Sequence, residues 1–126
     1  MPAKILIVED EPGIRDLVRQ FLSPAGYVIS EAEDVASLKK QLHLPAPDVL
    51  LLDLRLPDGN GLSVIPDLKK SWPAARIVIL TGYGSVDAAE QAYKLDDVFL
   101  LSKPFDSEML NAMVGLALAA GPKKSA

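Results

Sequence analysis

The stretch PDVLLLDLRLPDGNG, residues 47–61, decides the fold and poses a chemical problem. Val49, Leu50, Leu51 and Leu52 read as a short strand buried on both faces, as in the middle of a parallel sheet. Asp53 then puts a carboxylate where the apolar run should continue, and Leu54 resumes it. An isolated buried carboxylate is costly enough that it protonates or finds a cationic partner. The rest of the chain has to supply the cover for this strand and the company for Asp53.

Working outward, five apolar runs recur at intervals of roughly 20 to 25 residues: KILIV (4–8), YVISEA (27–32), VLLLD (49–53), RIVIL (76–80) and VFLLS (98–102). Helical spacing fills the gaps. Ile14, Leu17, Val18, Phe21 and Leu22 form a stripe within 12–22, and Val35, Leu38 and Leu42 within 35–42. Leu62, Val64, Ile65 and Leu68 do so within 62–70, where Pro66 should bend the helix or shift its start. Val86, Ala89, Ala92 and Tyr93 predict a helix over 86–94. Met109, Leu110, Met113, Val114, Leu116 and Ala117 predict the last, over 106–120. Five alternations of strand and helix mean a parallel sheet with helices on both faces, a doubly wound α/β sandwich. Residues 1–121 are expected to form this one domain, and 122–126 a flexible C-terminal tail.

The totals bound the function. A chain of 126 residues makes one domain with a proper core. Although 49% of residues are apolar, no run approaches the roughly 18 of a membrane span. The start MPAKILIVED is charged too soon for a signal peptide, so a cytoplasmic location is expected. The absence of cysteine excludes disulfides and thiolate metal sites. A net charge of −4 argues against nucleic-acid binding by the bulk surface. The single His43, in LHLPAP, reads as an ordinary surface histidine.

In open parallel sheets the functional crevice lies beyond the carboxyl ends of the strands. Strand one runs into Glu9, Asp10 and Glu11; strand three ends at Asp53; strand four at Thr81; strand five at Ser102 and Lys103. Glu9, Asp10 and Asp53 in one crevice repel each other, a conflict that a hard divalent cation with oxygen ligands removes, Mg²⁺ being the usual choice. Add a phosphoryl group: Mg²⁺ and Lys103 neutralise its oxygens, Thr81 hydrogen-bonds another, and a carboxylate oxygen attacks in line. Asp53 is therefore read as a nucleophile that becomes an aspartyl phosphate.

With these residues in view, the sequence strongly resembles the receiver domain of bacterial two-component response regulators. The resemblance covers residues 3–120 and rests on ILIVEDEP, YVISEAED, PDVLLLDLRLPDGNGL, RIVILTGYGS and LSKPF in that order. It implies a flavodoxin-like, five-stranded parallel sheet of order 2-1-3-4-5 with five helices, a three-layer αβα sandwich. It implies Asp53 as phosphoacceptor, Asp10 as a direct Mg²⁺ ligand, Glu9 acting through water, and the backbone carbonyl of Arg55 as a further ligand. Thr81 and Lys103 would hold the phosphoryl group, and Lys103–Pro104 is a candidate cis peptide. The donor would be a sensor histidine kinase or histidine phosphotransfer protein. The chain would be a self-phosphorylating and autodephosphorylating switch rather than a turnover enzyme. Its output would be the face of the fourth helix, fifth strand and fifth helix, serving a homodimer or an output domain outside this chain.

The sequence departs from the family pattern at three places. The family's aromatic switch on the fifth strand is Leu100 here, and Phe99 is one residue off, facing the other side of the sheet. Either coupling uses no aromatic swing or an irregularity lets Phe99 substitute; the strand period of two favours the first. Asp96-Asp97 replaces the usual Gly-Ala turn, and Glu9 replaces the commoner Asp. Arg55 and Tyr83 either tune phosphate lifetime or are plain loop residues. Gly59 and Gly61 read as a turn supplying positive φ before a helix.

Alternative readings are weaker. A haloacid-dehalogenase-type phosphatase needs a second Asp two residues after the nucleophile, where Arg55 stands. A flavodoxin-like flavin module needs a Ser/Thr-rich first loop, and EDEPG would repel a phosphate there. A degenerate receiver acting as a phosphorylation-independent protein-binding module should have lost a crevice residue, and none is missing.

Overall fold

The computed structural model describes residues 2–82 and 98–120. Five parallel strands, β1 (Lys4–Val8), β2 (Val28–Ala32), β3 (Val49–Asp53), β4 (Arg76–Thr81) and β5 (Val98–Ser102), form one sheet of order β2-β1-β3-β4-β5. This is the flavodoxin-like arrangement. The order reverses between β1 and β3, where Ile5 to Val8 pair with Val49 to Leu52, so the switch-point crevice opens above those two strands.

The central strands are apolar on both sides because both sides are covered. Ile5, Ile7, Val49, Leu51, Val78 and Leu80 pack beneath α1 (Pro12–Leu22) and the C-terminal helix (Ser107–Ala119). Their neighbours Leu6, Val8, Leu50, Leu52, Ile77 and Ile79 pack on the opposite face, under α2 (Val35–Gln41) and α3 (Ile65–Ser71). Each fully buried aliphatic side chain contributes about 2 kcal/mol, so these rows fix the register of the sheet and with it the position of residue 53.

Local chemistry sets the helix ends. Pro12 lies in the first turn of α1, where a missing N–H costs nothing. Beyond α1 a 3₁₀ turn over Ser23–Ala25 closes at Gly26, whose φ of 78° is a left-handed stop. Asp34 caps α2 by accepting from the Ser37 N–H at 2.7 Å, and Asp106 caps the C-terminal helix by accepting from the Met109 N–H at 2.8 Å. Pro66 shifts the start of α3: a 3₁₀ turn occupies Gly61–Val64 and the α-helix begins at Ile65. A short antiparallel hairpin, Arg55–Leu56 against Asn60–Gly59, was not foreseen. It is tied to α2 by Asp58, whose carboxylate accepts from the Val35 and Ala36 N–H groups at 2.8 and 2.9 Å. The helix predicted over 86–94, the Asp96-Asp97 turn, Tyr83 and the tail from 121 lie outside the described residues.

One sequence-based expectation needs correcting. Among the described residues Gly26 is the glycine with positive φ, so neither Gly59 nor Gly61 serves that purpose. Gly61 is needed for closeness instead. A Cβ there would lie 2.5 Å from the Asp53 carbonyl oxygen and 3.1 Å from the Leu54 Cα, and both are backbone atoms. Its own N–H donates to the Leu54 carbonyl at 2.9 Å. The loop after β3 thus folds back onto the strand end that carries Asp53.

Candidate functional site

The carboxyl ends of β1, β3 and β4 deliver the polar residues that the sequence singles out. Glu9 and Asp10 follow β1 directly, and the Glu9 N–H donates to the Ala32 carbonyl at 3.0 Å, continuing the sheet one residue past the strand. Asp53 ends β3 opposite Leu80. One carboxylate oxygen from each of Glu9, Asp10 and Asp53 lies within 4.8 Å of the others. Glu9 and Asp53 are buried, at 1% and 5% exposure, and Asp10 is exposed.

Lys103 comes from just beyond β5 and bridges two of these acids. Its Nζ donates to Glu9 Oε1 at 2.9 Å and to Asp53 Oδ2 at 3.2 Å. The backbone positions it: the Lys103 N–H donates to the Thr81 carbonyl at 2.7 Å, and the Lys103–Pro104 peptide is cis. Thr81 itself is buried at the end of β4, paired with Ser102. The other Asp53 oxygen, Oδ1, accepts from the Arg55 N–H at 3.1 Å. Leu100 is not in the crevice; it sits opposite Ile79 and packs with the α2/α3 side of the core, whereas Phe99 packs with the α1 side.

The electrostatics follow from burial and crowding. Burial pushes the Glu9 carboxyl up to about 7, hydrogen bonding to Asp53 adds to the rise, and Lys103 opposes it. Burial pulls the Lys103 ammonium down, but the Glu9 and Asp53 carboxylates more than offset it, leaving its pKa raised. The unfolded Glu9 titrates near 4.5, so between that pH and about 7 the folded chain binds more protons than the unfolded one. Stability of the metal-free protein from this group therefore falls as pH rises through that window. The expected signature is a Glu9→Gln variant whose denaturation midpoint gains on wild type between about pH 5 and about pH 7.5 in EDTA.

Three converging carboxylates with no nearby sulfur or imidazole make a hard oxygen donor set, which fits Mg²⁺. Gly61→Ala probes how tightly the strand end that carries Asp53 is packed. Forcing a methyl against the Asp53 backbone is expected to cost about 2 kcal/mol of stability, read as a lower denaturation midpoint.

Two contributors escaped the sequence reading. Arg15 on α1 donates from Nη1 to the carbonyls of Glu9 at 2.7 Å and Asp10 at 3.1 Å, and from Nε to Glu31 Oε1 at 2.9 Å. Glu31 is the one charged residue of β2, VISEA, as Asp53 is of β3.

A flavodoxin-like sheet with acids and an amine gathered over its switch point defines an α/β module with a charged crevice, and comparison with known proteins gives the family. A family model described as the response regulator receiver domain matches residues 5–115. The photosynthetic apparatus regulatory protein RegA of Rhodobacter capsulatus is 36% identical over 94% of this chain and 65% of its own length. The response regulator protein PilR of Pseudomonas aeruginosa is 36% identical over 91% of this chain and 26% of its own length. Among solved structures, the receiver domain of a LuxO repressor protein from Vibrio parahaemolyticus superposes with a TM-score of 0.87 at 27% identity, covering 95% of this chain and 92% of that one. NtrX from Brucella abortus gives 0.86 at 32% identity, covering 95% and 27%. The chain belongs to the response regulator receiver family. It spans less than two thirds of the length of these curated relatives.

Proposed function

We propose that this chain is a Mg²⁺-dependent phosphorylatable switch in which Asp53 accepts a phosphoryl group from the phosphohistidine of a partner kinase or histidine phosphotransfer protein. The observation that carries the reading is the placement of Asp53. It is a buried acid at a strand end, with Lys103 on one oxygen and the Arg55 N–H on the other.

Glu9, Asp10, Asp53 and the Arg55 carbonyl would hold Mg²⁺. Bound there, the ion neutralises charge on the phosphoryl oxygens. The remaining work falls to the chain itself. The Arg55 N–H orients the Asp53 carboxylate from one side. An Asp53 oxygen attacks phosphorus as the phosphorus–nitrogen bond of the donor breaks, and the departing imidazole keeps the electron pair and is protonated. Lys103 moves its ammonium from the acids to the phosphoryl oxygens, and the Thr81 hydroxyl donates to another. Loss of the acyl phosphate to water then resets the switch; Arg55 and Tyr83 are the residues proposed to tune that rate.

A group carrying close to two negative charges is now bonded to one Asp53 carboxylate oxygen, so Lys103 and Thr81 are drawn toward it. The output is proposed to be the face of the fourth helix, fifth strand and C-terminal helix, used by a homodimer or a linked output domain. With Leu100 half-buried against the core where an aromatic switch would stand, coupling is proposed to run through Thr81 and the backbone link from Thr81 to Lys103. The proposed location is the cytoplasm, and no helix among the described residues is long and apolar enough to cross a membrane.

The test is intact mass after incubation with acetyl phosphate and Mg²⁺. A single added phosphoryl group, lost when EDTA replaces Mg²⁺, is expected. Unchanged mass, or labelling indifferent to EDTA, would contradict the proposal.

A further inference from the structure

Resting on the Mg²⁺ reading of the crevice, we propose that Arg15 is a positioning residue that sets the crevice's affinity for a divalent cation by holding the acid-bearing loop from behind. The loop after β1 has a reason to move. It carries Glu9 and Asp10, which stand against Asp53 in a cluster where every acid repels the others. In the metal-free protein, swinging the loop outward would relieve that repulsion and scatter the donors. Arg15 opposes the swing. One guanidinium nitrogen accepts no alternative geometry easily, because it donates to the carbonyls of two successive residues, Glu9 and Asp10. Fixing both peptide planes fixes the bases from which the two carboxylates project.

The guanidinium is anchored in turn. Its Nε donates to Glu31 Oε1, and Glu31 lies on β2 directly opposite Ile7 of β1. Arg19 holds the other Glu31 oxygen, with its Nε at 3.0 Å and a second contact from Nη2. The two arginines lower the Glu31 pKa, Arg19 most strongly, so the anchor stays ionised. Gln41 fixes the same strand by donating to the Glu31 carbonyl at 3.1 Å. The chain of support therefore runs from the sheet through Glu31 and Arg15 to the loop that carries the acids.

Charge and position make opposite predictions here. A guanidinium beside a cation site repels the incoming ion, so if Arg15 acted through charge alone its removal would tighten Mg²⁺ binding. If it acts by holding the loop, removal loosens binding. Groups that orient metal ligands from outside typically change affinity by 10- to 100-fold when removed, which exceeds the repulsion left to a guanidinium whose charge is already paired with Glu31.

The experiment is calorimetric titration of the whole chain with MgCl₂. Arg15→Ala is expected to raise the Mg²⁺ Kd about tenfold, and Glu31→Gln, which cuts the anchor only, about threefold. Arg19→Ala is the control: it touches Glu31 but not the loop, and a Kd within about twofold of wild type is expected. In the acetyl phosphate reaction, Arg15→Ala should need more Mg²⁺ for half-maximal labelling while the rate at saturating Mg²⁺ stays within about twofold. Equal or tighter binding by Arg15→Ala would overturn the proposal. If that variant does not fold, an unchanged Kd in Glu31→Gln would do so. A wild-type chain that binds no Mg²⁺ would remove the metal reading itself and this proposal with it.

Discussion

Asp53→Asn is expected to end phosphoryl incorporation while leaving the fold in place. The amide matches the carboxylate in shape, and its oxygen still accepts from the Arg55 N–H that reaches Asp53 Oδ1. It loses the ionised oxygen that attacks phosphorus, and the loss of a covalent nucleophile costs at least about 10⁴-fold in rate. Lys103 keeps its contact with Glu9, so the crevice retains a cation–acid pair. Intact mass after acetyl phosphate and Mg²⁺ should show no added group, with a denaturation midpoint close to that of wild type. Labelling that persists in the variant would place the acceptor elsewhere.

Lys103→Met carries the second large effect, and it separates two roles of the crevice. The ammonium holds Glu9 and Asp53 in the resting protein and is assigned to the phosphoryl oxygens during transfer. Losing a preorganised donor to developing negative charge costs on the order of 100-fold in rate, so labelling at saturating Mg²⁺ should slow by about that factor. Mg²⁺ affinity should hold or rise, because a competing cation has left the acids. The combination of slower transfer with undiminished Mg²⁺ binding distinguishes phosphoryl contact from a general collapse of the site. Equal losses in both would argue that Lys103 only props the crevice open.

The fold was legible because its signals are one-dimensional. Runs such as VLLLD and RIVIL are apolar throughout since both faces of β3 and β4 are covered, and that property is visible without knowing what covers them. The topology rule then sends every strand's last residue to one edge, which is why Glu9, Asp10, Asp53, Thr81 and Lys103 group together in the sequence alone. Features set by reach rather than period were not legible. Asp58 spans from a hairpin to the first turn of α2, and nothing in the spacing of residues 55–60 announces it. At Gly61 the turn-like PDGNG suggests positive φ, while the physical demand is the approach of one backbone to another. Arg15 is not legible in the sequence, since two of its targets are backbone carbonyls, which carry no sequence signature.

Reductive trapping tests the central assignment most directly. Borohydride converts an acyl phosphate to an alcohol and leaves free carboxylates untouched, so peptide sequencing of the labelled, reduced protein reads the acceptor by residue. Homoserine at position 53, formed with Mg²⁺ and missing with EDTA, is the predicted result. Reduction at Glu9 or Asp10, or a phosphoryl group on any side chain other than Asp53, would contradict it.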